Sequence, residues 1–362
     1  MSERAIVVTA PGSVEIREEQ SPPARAGTFR VETLYSGVSA GTELSYVKGT
    51  NPLLRARLDP ELGLFVDGEP AQAYPVTRLG YMEVGRVTES ATPAVARGTL
   101  VAMAYGHRTG HLADPLVDRF VPLPPDLDPL LGVYVAHAGP ICANGLLHAA
   151  ADAFGPAVRD LGDGVRGRRV AVVGAGMIGL LTAAFALRHG AESVLVLDAT
   201  SRRRAVAAAL GCAVLDPADG DPAVAVKSRW RRGPGDRGAD VVFQCRGQPA
   251  ALHLALRLLR PQGTVVDLAF YQGGAGDMRL GEEFHHNGLS VRCAQIGRVP
   301  RGLAAAWDRE RLSAETVSMV RECGEGIRRH VVTAVVPFDK GPELLRDLAS
   351  RARQEVATIL EC

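Results

Sequence analysis

Residues 169–198 read RVAVVGAGMIGLLTAAFALRHGAESVLVLD. Arg169–Val173 is a short apolar run rich in valine, and it reads as a buried strand. Gly174, Gly176 and Gly179 follow at once in G-x-G-x-x-G spacing, with Met177 and Ile178 between the last two. The next stretch, LLTAAFALRHG, favours helix. Arg188 and His189 fall in its last turn, and Gly190 stands where a helix C-cap belongs. A second apolar strand, Ser193–Leu197, then ends in Asp198. A glycine-rich turn alone is weak evidence. A strand before it, a helix after it and an acid ending the next strand supply the context of a dinucleotide-binding turn. Gly174 permits the tight turn, and Gly176 lets the backbone approach a pyrophosphate. Gly179 lets helix and strand pack closely, while the helix N-terminus offers N–H donors to the negative charge. Asp198 would accept hydrogen bonds from the ribose hydroxyls and repel a 2′-phosphate, so NAD is expected over NADP. Arg203, in the run Arg202–Arg204, is the counterweight, since a guanidinium there can hold a 2′-phosphate or stack on adenine.

Outward from this unit the pattern continues. Asp240–Phe243, Thr264–Leu268 and Leu289–Cys293 read as further strands, with helices near Ser201–Leu210 and Ala250–Leu259, the alternation of a parallel sheet. The first third is different: Ala5–Thr9, Val14–Arg17, Phe29–Leu34 and Val84–Val87 are short β-type runs separated by Pro and Gly. The passage VPLPPDLDP at 121–129 is stiff and extended, suited to a domain junction.

Composition narrows the function. The chain has 362 residues, enough for two domains, with 46% hydrophobic and 22% charged residues, the balance of a globular protein. A formal charge of +1 leaves no electrostatic footprint for nucleic acid or an acidic membrane. Leu130–Ala151 holds no Asp, Glu, Lys or Arg, but its glycines, Pro140, Asn144, His137 and His148 favour a buried segment between domains over a membrane span. The six cysteines are scattered without a C-x-x-C pair, which argues against a disulfide framework or a clustered structural metal. The start, MSERAIVVTAPGSVEI, has neither the basic residues nor the apolar run of a secretory signal, and a cytoplasmic location is expected.

Several stretches together resemble the medium-chain dehydrogenase/reductase superfamily, the alcohol-dehydrogenase-like enzymes, along essentially the whole chain. They are SGVSAGTEL at 36–44, LGYMEVGRV at 79–87, the glycine turn, ADVVFQCRG at 239–247 and LLRPQGTVVDLAFY at 258–271. The resemblance implies an α/β protein with a Rossmann doubly wound parallel sheet inserted into a GroES-like, β-rich catalytic domain. The catalytic domain would span 1–136 and 299–362, and the Rossmann domain 137–298. It further implies hydride transfer involving a nicotinamide, Ala269 and Phe270 near the nicotinamide, Cys245 against the cofactor, and a homodimer.

Zinc-containing members carry a Cys-Gly-Thr-Asp type motif, then Gly-His-Glu, then a Cys or Glu. Here Ala40-Gly41-Thr42-Glu43, Gly80-Tyr81-Met82 and Ala138-Gly139-Pro140 stand at those places. Alanine, methionine and glycine side chains cannot hold zinc and a neutral tyrosine is a poor ligand, so no catalytic zinc is expected. The four-cysteine zinc lobe is missing too, because about 97–116 has no cysteine. The resemblance is therefore to the zinc-lacking branch that includes bacteriochlorophyllide hydroxyethyl dehydrogenases. Without a Lewis acid, a proton donor or acceptor must serve the substrate oxygen. Thr42 matches the relay hydroxyl of zinc members, and Tyr81 stands where the metal histidine was. Glu43 is expected to support Tyr81 or a neighbouring cation. His137, beside the third lost position, is a candidate acid/base. The adjacent pair His285-His286 diverges on either a strand or a helix and is not expected to share an ion; one of them is a candidate pocket residue.

These residues imply a zinc-independent oxidoreductase interconverting an alcohol and a ketone on a small polar or cyclic metabolite. Two alternatives stay open: reduction of an activated C=C bond, and binding of a dinucleotide without catalysis.

Overall fold

Strand Arg169–Val173 forms where expected and is buried along Val170–Val173, as a strand inside a parallel sheet must be. It pairs in parallel with Ser193–Leu197 on one side and Ala239–Gln244 on the other. The full sheet has six strands in the order Ala213–Leu215, Ser193–Leu197, Arg169–Val173, Ala239–Gln244, Leu259–Asp267, Ser290–Cys293. Numbered along the chain this is 3-2-1-4-5-6, the doubly wound order, and its direction reverses between Arg169–Val173 and Ala239–Gln244. The core beneath includes Leu195, Leu197, Val226, Trp230, Val242, Leu256 and Val265. Helix Met177–Arg188 packs on helices Ala138–Phe154 and Arg309–Gly326, and Pro222–Arg229 packs on Pro249–Leu258.

The computed structural model describes residues 2–276 and 278–362, which gather into two compact units. The one above spans Ala138–Val331; the other combines the chain up to His137 with Val332–Cys362. In this β-rich unit a seven-stranded sheet runs Val332–Pro337, Ala357–Glu361, Phe29–Val38, Glu83–Ser90, Leu100–Met103, Val121–Pro122, with Gly110–Ala113 also paired to Phe29–Val38. The last strand of the chain thus lies antiparallel to Phe29–Val38, so both chain ends build one sheet. Ile6, Val38, Leu44, Leu79, Phe338, Leu345 and Leu360 share one core of this unit.

Three boundaries differ from the sequence reading. The proline-rich passage is not a junction: Val121–Pro122 joins the sheet edge beside Leu100–Met103, where a residue without an N–H is tolerated. The first unit ends at His137, one residue later than expected. It resumes at Val332, not at 299, because helix Arg309–Gly326 stays with the second unit. The reason is close packing. A Cβ on Gly139 would lie 2.1 Å from Thr316 Cγ2, so only glycine allows helix Ala138–Phe154 to approach helix Arg309–Gly326 this closely. The uncharged stretch 130–151 supplies most of that buried helix, and no helix among the described residues is long and apolar enough to cross a membrane.

Candidate dinucleotide and active site

The glycine turn has the geometry its spacing called for. Gly174 has φ +101°, in the left-handed region that favours glycine. A Cβ on Gly179 would stand 1.9 Å from the Gly174 carbonyl oxygen, so helix and turn touch directly. A Cβ on Gly176 would meet nothing within 4 Å, which leaves open space above the backbone at that residue. Gly176 is the N-cap of helix Met177–Arg188 and no side chain caps that end. Met177 and Ile178 begin the helix, and the Ile178 carbonyl accepts from Cys142 Sγ at 3.4 Å. Unsatisfied N–H groups at a helix start facing open space form an anion seat.

Asp198 ends its strand at 5% exposure. Its carboxylate accepts from Ala175 N at 2.9 Å and Thr200 N at 2.8 Å, which ties the end of the second strand to the glycine turn. Arg203 Nη1 lies 4.0 Å from Asp198 Oδ2, while Arg204 donates from Nη1 to the Asp198 main-chain carbonyl at 2.7 Å and pairs through Nη2 with Asp216 at 2.6 Å. Arg203 thus stands by the Asp198 carboxylate, and Arg204 holds the main chain of the same residue. Cys245 follows strand Ala239–Gln244, and its N–H donates to the Val173 carbonyl at 2.9 Å. Burial pushes its thiol well above the usual range. Ala269 N donates to Asp267 Oδ1 at 2.9 Å, and Phe270 is 38% exposed. Both lie at the carboxyl end of strand Leu259–Asp267, the end at which open α/β sheets bind ligands.

The four acid/base candidates lie in the β-rich unit, and two hydroxyls join them. The Tyr81 hydroxyl donates a short hydrogen bond to Ser39 Oγ. Burial and the Glu43 carboxylate push its pKa up to about 12, against the pull of hydrogen bonds from Ser39 and Thr42. It is a neutral phenol throughout the physiological range, a proton donor and not a base. The His137 ring stands 4.5 Å from the Tyr81 ring at 50°, and both side chains are part-exposed. Thr42 precedes the short helix Glu43–Val47 without capping it by its side chain. Glu43 is turned inward at 2% exposure, where Oε2 meets His107 Nε2 at 3.0 Å. The group that Glu43 meets is thus His107; burial opposes charge on that ring, and the Glu43 and Glu83 carboxylates outweigh it and raise the pKa above the ordinary value.

Sequence reasoning missed His107, Ser36, Ser39 and Glu83. Ser36 Oγ bonds His107 Nδ1 at 2.7 Å and donates to Glu83 Oε1 at 3.1 Å; Glu83 Oε2 accepts from Tyr105 N at 2.8 Å. Three of these four stood inside the quoted motifs SGVSAGTEL and LGYMEVGRV. His107 had no motif around it. Strand register brings it in, since Glu83 pairs with Met103 and residues just past Met103 emerge beside 79–83.

The donor set does not fit a catalytic zinc. Ala40, Tyr81 and Met82 provide no thiolate, imidazole or carboxylate at the motif positions, and Met82 is fully buried against Gly37. Gly139 faces Thr316, with no room for any side chain. Both nitrogens of His107 are engaged, and His137 alone would be one ligand where a zinc site needs at least three. Among the described residues, the group of acidic, histidine or cysteine side chains able to converge on an ion is His253, Glu282 and Glu283 in the other unit, where Arg257 already holds Glu283 at 3.1 Å. His285 and His286 are exposed, with ring centroids 5.3 Å apart and planes at 87°.

Whole-length comparison places this geometry among known folds. A protein described as a zinc-binding dehydrogenase of Sinorhizobium meliloti 1021, solved with NADP bound, superposes with a TM-score of 0.75 at 21% identity over 100% of both chains. The fold is that of the zinc-binding dehydrogenases. The 2R,3R-butanediol dehydrogenase of Bacillus subtilis superposes at TM-score 0.73 and 19% identity, again over 100% of each chain. Residues 178–309 match the family model described as zinc-binding dehydrogenase. D-guloside 3-dehydrogenase of Escherichia coli K12 is 26% identical over 94% of each chain. D-xylulose reductase of Saccharomyces cerevisiae is 32% identical over 29% of this chain and 30% of its own. These relatives are dehydrogenases and a reductase by name.

Proposed function

We propose that this chain is an NAD-dependent dehydrogenase that interconverts a secondary alcohol and a ketone on a polyol or sugar-like metabolite, without zinc. The observation that carries the reading is the open, uncapped helix start at Gly176 beside Asp198, at the reversal point of a 3-2-1-4-5-6 sheet. The relatives acting on D-gulosides and D-xylulose support the substrate class.

The nicotinamide, when bound, accepts or supplies the hydride. The Gly174–Gly179 backbone and the first N–H groups of helix Met177–Arg188 hold the pyrophosphate. Asp198 accepts from the adenosine ribose hydroxyls and disfavours a 2′-phosphate. In reduction, the Tyr81 phenol turns its one hydrogen from Ser39 Oγ to the ketone oxygen as negative charge develops there, and the Ser39 and Thr42 hydroxyls donate to the phenol oxygen in return. A phenol held at about 12 does not deprotonate near neutrality. The alcohol proton released during oxidation therefore goes to the His137 imidazole beside it, and in reduction the same ring returns that proton to the alkoxide while Tyr81 keeps its own.

The test is a fluorescence titration of EDTA-treated protein with NADH and NADPH, followed by product analysis on a panel of polyols, ketoses and enones. Tighter binding of NADH and carbonyl-to-hydroxyl conversion support the reading. Conversion of an enone with its carbonyl kept would assign reduction of a C=C bond, and binding without turnover across the panel would leave a dinucleotide-binding protein.

A further inference from the structure

Glu43, His107, Ser36 and Glu83 form a buried chain, each 2% exposed or less. Burial raises the Glu83 carboxyl, against the pull of His107 and of the Tyr105 and Gly106 N–H groups, and with both glutamates ionised counting hydrogens along the chain places the protons. Ser36 has one hydroxyl hydrogen, and it goes to Glu83 Oε1 at 3.1 Å. Ser36 Oγ must therefore accept from His107 Nδ1 at 2.7 Å, so Nδ1 carries a hydrogen. On the other side Nε2 faces Glu43 Oε2 at 3.0 Å; a carboxylate oxygen only accepts, so Nε2 carries one as well. A ring with both hydrogens is an imidazolium. The carboxylates of Glu43 and Glu83 favour that charged form against the cost of burial.

The same ring sets the position of Tyr81. Gly80, with φ +105°, has the His107 ring 2.9 Å from where a Cβ would stand. The His107 N–H donates to the Leu79 carbonyl at 2.6 Å, and its carbonyl accepts from Ile6 N at 2.9 Å. Leu79-Gly80-Tyr81 is thus clamped from one side by His107. From the other, Glu43 directs the helix start that carries Thr42, a partner of the Tyr81 hydroxyl. The titratable groups facing His107 and its partners are Glu43, Glu83, Tyr81, Tyr105, His111 stacked on Tyr105, and the Cys362 thiol near Glu83.

We propose that His107 is a positioning residue: a buried, doubly donating imidazolium between Glu43 and the Ser36–Glu83 pair that holds the Tyr81 hydroxyl in its place. The purpose of that placement rests on the hydride-transfer reading, whereas the imidazolium and its coupling to Tyr81 do not. The experiment uses the full chain carrying 15N-histidine and 13Cζ-tyrosine, followed by NMR from pH 6 upwards without cofactor or substrate. Both His107 nitrogens are expected to stay protonated at pH 8, where an ordinary exposed imidazole is only about 3% charged. As His107 loses its proton at higher pH, the Tyr81 Cζ resonance is expected to step at the same pH, and that step is absent in His107→Gln. Glu43→Gln is expected to lower the pH of both steps together, and it carries the test if His107→Gln does not fold. A single protonated nitrogen on His107 at pH 7 overturns the proposal, as does a Tyr81 resonance that stays flat through the His107 titration. Failure of the hydride-transfer reading would appear separately, as absence of NADH binding.

Discussion

Gly176→Ala separates cofactor binding from folding. The new Cβ enters open space, and Gly176 has φ −79° and ψ −178°, a backbone that alanine adopts readily. Replacing glycine stiffens the unfolded chain, a gain of about 0.4–1 kcal/mol. Alanine is a poorer N-cap than glycine, a loss of similar size, on the order of 0.5–1 kcal/mol. The two nearly cancel, so Tm is expected to stay within about 2–4 °C of the parent. Binding is another matter. A methyl over the turn keeps a phosphate oxygen from the roughly 2.9 Å that an N–H···O bond needs. Losing one charge-assisted bond costs about 1.5–3 kcal/mol, which raises the NADH Kd about 10- to 150-fold. Gly179→Ala is the control. Its Cβ falls about 1 Å short of the 3.0 Å that real Cβ atoms keep from a neighbour, here the Gly174 carbonyl oxygen, so it costs stability as well as binding. Fluorescence titration and thermal melts of both variants decide the matter. A Gly176→Ala protein that melts like the parent and binds NADH within twofold of it would show that no pyrophosphate lies over this residue.

Asp198→Ala removes the carboxylate proposed to read the ribose, which also accepts from two backbone N–H groups. Parallel titrations are expected to show the preference for NADH over NADPH falling at least tenfold, about 1.4 kcal/mol; an unchanged ratio contradicts that role. Tyr81→Phe deletes the proposed donor to the substrate oxygen. Turnover on any panel substrate is expected to drop about 10²–10³-fold with NADH Kd unchanged, and a kcat within threefold of the parent would show that the phenol does not stabilise the developing charge. His107 carries a pH signature in stability. The fold holds its imidazole charged above the ordinary range, so its contribution is complete below about pH 6.5 and fades as pH rises through the folded value. Urea denaturation from pH 6 to 9 is expected to show the advantage of the parent over His107→Gln shrinking as pH rises. An advantage that grows with pH would mean the buried histidine is neutral.

The parallel-sheet unit was legible because its signals are local. Strand, glycine turn, helix and acidic strand end follow one another within 169–198, and each residue type has one backbone reason to be there. The β-rich unit was legible only in part. Glu43, Thr42 and Tyr81 announced themselves as substitutions in motifs with a known metal pattern. The partner that organises Glu43 is His107, brought in by antiparallel register between Glu83–Ser90 and Leu100–Met103, and pairing across a sheet leaves no trace in sequence spacing. The late return at Val332 was hidden for a similar reason: the contact that keeps Arg309–Gly326 in the second unit is a missing side chain, Gly139, against Thr316.

Hydride transfer without zinc is tested most directly by stripping metal from the purified protein, measuring its residual zinc, and following NAD-linked oxidation of a polyol panel before and after zinc is added back. The expected result is turnover at the parent rate with zinc far below one ion per chain, and no gain when zinc is restored. Turnover that vanishes with the metal and returns with one equivalent of zinc would contradict it.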